Sequence, residues 1–391
     1  GDAGTNWSSI YTTINSANLI LKHTPEISFT NEATRNEVMA NAYFLRAYCY
    51  FTLVRVFGDC PLLTSGFESE KQEDMYPSRT AASEVYAQVE TDIEEALRLM
   101  PASSKLLHKA SPAAINMLRT EYYLWKAKRL GGGNAALSTA QSSVDAVLKA
   151  GYALLPTFAD IFNLNNEANS ELIWTLPYIV NENVTPGTSP NFFAYYLAPN
   201  GDRTRLREAG YTEDEVPAGS HAQYVVPTQA YCDFLAEDAR DTRTDVSVRV
   251  FEDKFLTEEV QIKRMVVKFK GSFANDTRSF DSDVPVYRLA EAYLLKAEVE
   301  NALGNTDAAL QNLNVVAKRA YGVDNYYTAR TQDAIDNAII SEILKEFVAE
   351  SKAWWAYLRF NKEFELIETL KGREGGEECY LVAYCSCLSQ Y

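Results

Sequence analysis

The 391-residue chain is poor in the residues and motifs on which most catalytic and metal chemistry depends. It has three histidines (His23, His108 and His221) and six cysteines, with no Cys-x-x-Cys pair. Structural zinc sites need such closely spaced ligands, so no metal site is expected. Cys49, Cys60, Cys232 and Cys379 lie far apart, and Cys385 and Cys387 too close for an easy bridge. They are read mostly as small buried hydrophobes, and they do not settle the redox compartment. There is no Gly-x-Ser-x-Gly elbow, no phosphate-cradling glycine loop and no His-Glu-x-x-His pair, and no cofactor is expected. No apolar run reaches the roughly 18 residues a membrane-spanning helix needs. No secretory leader precedes Trp7, so a processed or truncated chain is expected. Basic clusters are also missing. With 37 basic and 53 acidic residues the net charge is −16, which would repel a phosphate backbone, so nucleic acid is not an expected partner.

What is present is helical patterning. A hydrophobic content of 47% with 23% charged residues suits an ordinary folded protein with room for a large core. In residues 286–298, Ala290, Leu294 and Ala297 recur at steps of three and four, so they share one helical stripe. Gly304 follows, where a left-handed cap is needed. A second stripe, Ala309, Leu313, Val316 and Ala320, completes a helix–turn–helix unit of the tetratricopeptide kind. Further helices are expected over 7–22, 31–57, 80–100, 112–130 and 137–147, and the scaffold resumes over 332–358. The 31–57 helix is apolar on two sides, which buries it between neighbours. Ser111-Pro112 is a helix start: a capping hydroxyl, then a proline whose missing N–H costs nothing there. The turn Gly133-Asn134-Ala135-Ala136-Leu137 echoes Gly304 to Leu310 and marks a degenerate repeat.

Residues 152–285 break the pattern. They are rich in Pro, Gly, Asn and Asp, and the alternation at 246–250 and 267–270 predicts a short hairpin. Eight aromatics between 178 and 231 argue against disorder. A long excursion from a helical scaffold is usually functional.

Three stretches resemble the SusD/RagB family of surface binding lipoproteins. The first runs from Ala42-Tyr43-Phe44-Leu45-Arg46-Ala47 to Phe57-Gly58-Asp59-Cys60-Pro61-Leu62. The second runs from Val286-Tyr287-Arg288-Leu289-Ala290-Glu291 to Gly304-Asn305. The third spans 340–360 and carries Glu346, Glu350, Trp354 and Leu358. A weaker match covers Pro227-Thr228 and Asp238 to Arg243. Ser351-Lys352 departs from the family's Gly-Arg, and the C-terminal residues 379–391 lack its Pro-rich ending. The resemblance implies a mainly α fold: one SusD-like domain with a helical scaffold over 7–151 and 286–360 and a loop-rich, ligand-facing excursion with short strands over 152–285. It also implies outer-membrane, cell-surface residence through a lipid anchor absent from this chain. The implied partner is a SusC-like TonB-dependent transporter.

Sugars offer C–H faces to flat aromatics and hydroxyls to polar side chains. Asn191, Tyr195, Tyr196, Asp202 and Arg203 supply both within one run, and Trp7, Tyr178, Tyr211 and Tyr224 complete the candidate oligosaccharide-binding set. The competing reading is that these rings pin a long loop to the body. Trp174, Trp354 and Trp355 are read as core. Asp238, Asp241 and Asp245 lack the glycine of a calcium loop and are read as ion pairs with Arg240, Arg243 and Arg249. Non-catalytic glycan capture is the expected function. The alternative is a peptide- or protein-binding scaffold of the same fold, and a carboxylate-pair glycoside hydrolase is the less favoured third.

Overall fold

The computed structural model describes residues 7–69, 77–179, 195–196, 204–219, 226–253, 259–367 and 370–371. It is mainly helical, with short strands, and it divides into two compact units at Gly151 and Tyr152.

In the first unit, helices α1 (Ser8–His23), α2 (Glu32–Phe57), α3 (Ala82–Leu99), α4 (Pro112–Arg129) and α5 (Gly133–Leu148) pack as successive neighbours. Asn31 caps α2 by accepting from Ala33 N, and Gly58 ends it at φ 65°. Ser111 caps α4 as the sequence predicts, accepting from Ala114 N. Ala40, Phe44, Ala47, Phe51, Leu53 and Val54 bury α2 on more than one side, which follows from its packing against both α1 and α3. Arg46 makes a bidentate pair with Asp92 (2.8 and 2.7 Å) in the interior, and its remaining nitrogen donates to Asn18. The chain after α2 is laid along α1. There, Asn15 exchanges two hydrogen bonds with the backbone of Phe67, the same pair of bonds a strand neighbour would make.

The second unit is built on β1 (Leu172–Leu176), β2 (Tyr195–Tyr196), α6 (Thr204–Glu208), β3 (Ala218–Gly219), α7 (Gln229–Leu235), α8 (Thr244–Ser247), β4 (Val248–Asp253), β5 (Gln261–Val266), β6 (Ser272–Ala274), β7 (Thr277–Ser279), β8 (Val284–Arg288), α9 (Leu289–Ala302), α10 (Thr306–Tyr321), α11 (Gln332–Glu346) and α12 (Ala353–Phe360). The α9/α10 hairpin turns at Gly304 (φ 80°). Ala290, Leu294, Ala297, Ala309, Leu313 and Val316 form its seam, which continues into Ile335, Ile339 and Ile343 of α11.

Two sequence expectations about element boundaries are corrected, and one segment is resolved further. Residues 286–288 are strand and not helix: β8 pairs antiparallel with β1, and α9 begins only at Leu289. Pro285 lacks the N–H a helix would use and biases Val284 toward extended backbone. The hairpin exists, but β4 pairs with β5 over 248–253 and 261–266, displaced from the predicted runs because Thr244–Ser247 forms a helical turn. The 332–358 segment is two helices, parted by a turn in which Ala349 and Ser351 take left-handed backbone (φ 61° and 59°). Trp174 and Trp354 are core, as expected, while Trp355 is half-buried.

Candidate ligand-binding site

Beneath the strands of the second unit lies a buried charge network. Arg288, at the end of β8, donates from Nε to Glu350 (2.8 Å), from Nη1 to Glu171 (3.1 Å) and Glu346 (2.5 Å), and from Nη2 to the Glu346 carbonyl (2.8 Å). Arg319 reaches Glu171 and Glu346 from α10. Arg243 holds Asp241 bidentately and also meets Glu342 and Glu346. Lys268, just past β5, donates to Glu350 and to the carbonyls of Glu346 and Val348. The Glu346 carbonyl is an orphan of the α11 C-terminus, and it accepts from both Lys268 and Arg288, so two cations cap a helix end whose dipole also favours them. Burial alone would lift the Glu346 carboxyl, but Arg319, Arg288 and Arg243 hold it well below the usual range. Burial pushes the Lys268 ammonium down to about 8, against the pull of Glu350.

Above this base, the irregular segments form a platform. Arg278 of β7 has a buried side chain that donates to the carbonyls of Lys270 (2.6 Å) and Glu213 (2.6 Å), tying segment 211–216 to the β6–β7 hairpin. Gly271 permits the close fold of that hairpin: it sits at φ 65°, and a Cβ there would stand 2.0 Å from the Ser279 carbonyl. Val216, Phe251, Met265 and Val267 form the apolar underside, with Tyr211 edge-on to Phe251 at 5.8 Å. Glu215 accepts from both the N–H and the hydroxyl of Thr212 (2.8 Å each), a reciprocal cap that fixes the turn into β3. β3 then pairs in parallel with β2, so the backbone of Tyr195 and Tyr196 is carried on this platform. At the exposed rim Arg207 pairs with Asp276.

Of the candidate ligand residues, Tyr195, Tyr196 and Tyr211 are therefore brought onto one assembly of strands. Tyr178 is half-buried, its N–H held by Asp283 (3.0 Å) and its hydroxyl pKa raised by burial. Trp7 belongs to the first unit, where it packs edge-on against Tyr11 and Phe57 with the Arg79 guanidinium 5.1 Å from its ring centroid. Asn191, Asp202, Arg203 and Tyr224, and the side chains of Tyr195 and Tyr196, lie outside the described residues. Asp238 and Asp241 pair with Arg240 and Arg243 as expected, and among the described residues no group of three His, Cys, Asp or Glu side chains is placed to hold a metal ion. Cys49, Cys60 and Cys232 are free thiols. No described helix is long and apolar enough to cross a membrane.

Residues 1–123 match a family model described as starch-binding associating with outer membrane, and residues 252–378 match the SusD family model. The chain belongs to the SusD/RagB family. Among its relatives, SusD-like protein P25 of Formosa agariphila is 26% identical over 94% of this chain and 72% of its own length. Among solved structures, NanU of B. fragilis is 26% identical with a TM-score of 0.76, covering 90% of this chain and 76% of that one. A SusD superfamily protein from Bacteroides vulgatus is 28% identical with a TM-score of 0.75, covering 90% of this chain and 78% of that one. Surface glycan-binding protein A from Bacteroides thetaiotaomicron, solved with laminarihexaose, shares the fold at 19% identity and a TM-score of 0.70, covering 91% of this chain and 76% of that one.

SusD/RagB proteins are non-catalytic binders associated with the outer membrane. The geometry explains why the family's motifs are where they are. Arg288 of the second stretch, Glu346 and Glu350 of the third, and Asp241 and Arg243 of the weaker match all meet in the buried network, while Arg46 of the first anchors the other unit. The motifs therefore carry the fold. Arg278 and Gly271, which build that platform, were not singled out from the sequence; their partners are distant in the chain or are backbone atoms, which no spacing rule reveals.

Proposed function

We propose that this protein captures an oligosaccharide at the outer surface without cleaving it and delivers it to a TonB-dependent outer-membrane transporter, the full-length form being held by a lipid anchor. The observation that supports this reading most is the tyrosine pair, Tyr195 and Tyr196, on a platform braced by buried Arg278, within a family described as starch-binding. The ligand set comprises Tyr195, Tyr196, Tyr178 and Tyr211 with Asn191, Asp202, Arg203 and Tyr224; Trp7 is a separate candidate on the first unit. Stacking on two or three rings contributes about 1–4 kcal/mol. On its own that corresponds to about millimolar binding at most, which suits delivery better than sequestration.

Affinity electrophoresis against a panel of neutral polysaccharides tests this. Retardation that disappears in Tyr195→Ala/Tyr196→Ala supports the glycan reading. Retardation by none of them, together with peptide binding, favours a peptide-binding scaffold instead. Release of new reducing ends at catalytic rates would overturn the non-catalytic assignment.

A further inference from the structure

A second site lies on the scaffold itself, in the groove between α10 and the loop 323–330. It has a volume of about 440 Å³, within the 300–1,000 Å³ typical of small-ligand sites.

The groove is preformed, because its loop is fixed from several sides. Asn314 of α10 exchanges two hydrogen bonds with the backbone of Tyr327 (2.9 Å each). The Tyr327 hydroxyl is held by Glu342. Tyr326 stacks on Tyr321 at 3.9 Å, nearly parallel, and donates to Asp238. Arg330 returns to Asp307 at the start of α10 (2.5 Å), and Lys318 pairs with Asp324 at the other end (2.6 Å). A ligand entering this groove therefore need not order the loop.

Its chemistry selects against ions. Both acids and both bases lining it are already paired with one another, so it offers no net charge. What remains is neutral: the carboxamides of Gln311 and Asn325 and the hydroxyl of Thr328, which hydrogen-bond no other described residue. A carboxamide presents a donor and an acceptor side by side, the pattern that meets vicinal hydroxyls. An extended peptide fits less well. The loop's N–H and C=O at Tyr327 are already used by Asn314, leaving no strand edge there, and Leu310 is nearly buried, leaving no deep apolar pocket for a side chain.

We propose that this groove is a second, neutral-oligosaccharide site, formed by Gln311, Asn325 and Thr328 on the α10 scaffold and independent of the tyrosine platform. It shares only its ligand class with the function proposed above.

The test is an amide NMR titration of the whole chain with maltohexaose, laminarihexaose and cellohexaose, and with an oligogalacturonate as the anionic control. Shifts at Gln311, Asn325 and Thr328 are expected with at least one neutral hexasaccharide and not with the anion. They should persist in Tyr195→Ala/Tyr196→Ala and vanish in Gln311→Ala/Asn325→Gly. The exposed glutamine can be truncated without disturbing the core, and glycine suits the left-handed backbone at 325 (φ 52°). If residues 178–219 shift while the groove does not, the second site is refuted and the platform reading stands. If the groove alone shifts, the second site stands and the platform reading falls. No shift at the groove with any neutral sugar overturns the proposal.

Discussion

Replacing Arg288 by methionine tests the claim that the family motifs converge to hold the fold. The side chain is 1% exposed and donates five hydrogen bonds, four of them to the carboxylates of Glu171, Glu346 and Glu350. Methionine keeps the apolar stem but not the guanidinium, so the variant loses the charge and the fork's five hydrogen bonds. The network changes from four cations facing five carboxylates to three facing five, with Arg243, Arg319 and Lys268 left against Asp241, Glu171, Glu342, Glu346 and Glu350. Removing one member of a buried, satisfied network costs about 3–5 kcal/mol, because the remaining charges stay desolvated. Arg288→Lys keeps the charge but loses the fork, and should fall between the variant and the parent. Urea unfolding followed by tryptophan fluorescence and far-ultraviolet dichroism reads the change. Neutralising Glu350 in the same chain should recover at least about 1 kcal/mol in a double-mutant cycle. A loss below about 1 kcal/mol for Arg288→Met would place the network among ordinary surface pairs and refute the reasoning.

Further outcomes follow from local geometry. Ser351→Gly relieves a left-handed non-glycine residue and should stabilise by about 0.5–1 kcal/mol, read as a raised urea midpoint. Gly271→Ala brings a Cβ against the Ser279 carbonyl at a strained φ, and should destabilise by at least about 1–2 kcal/mol and weaken hydrogen-exchange protection over the β6–β7 hairpin. His23 stands between Glu26 and Glu68, and only its doubly protonated ring can donate to both. Its pKa is therefore raised above 6.5 by the bonds to Glu26 and Glu68. A raised folded-state pKa contributes stability that is full below about 6.5 and lost as pH rises through the folded value. NMR titration should show His23 protonating above 6.5, and Glu68→Gln should move it back toward that value.

Much of the scaffold was legible because its signals are local. Ser111 caps its helix by accepting from the N–H three residues on, Gly304 ends one at the position where periodicity stops, and the α9 and α10 stripes meet as their spacing predicts. Arg288 was legible as part of a motif but not as the end of a strand, because its secondary structure is decided by pairing with Leu172, more than a hundred residues earlier. The turn at 349–351 could not be placed within the 332–358 scaffold segment, because Ala and Ser carry no warning of positive φ; Lys268 and Arg288 hold that turn from outside. The tyrosines of the excursion could be named one by one. Which of them share a platform depends on Arg278 reaching Glu213, a contact between two segments that no periodicity connects.

The central claim is that neutral oligosaccharide binds at the tyrosine platform and is not cleaved. Calorimetric titration of the protein with a panel of neutral oligosaccharides tests it most directly. The account predicts saturable binding to at least one glycan that is lost in Tyr195→Ala/Tyr196→Ala, with the sugar recovered intact. Unchanged affinity in that variant, or recovery of cleaved sugar, would contradict it.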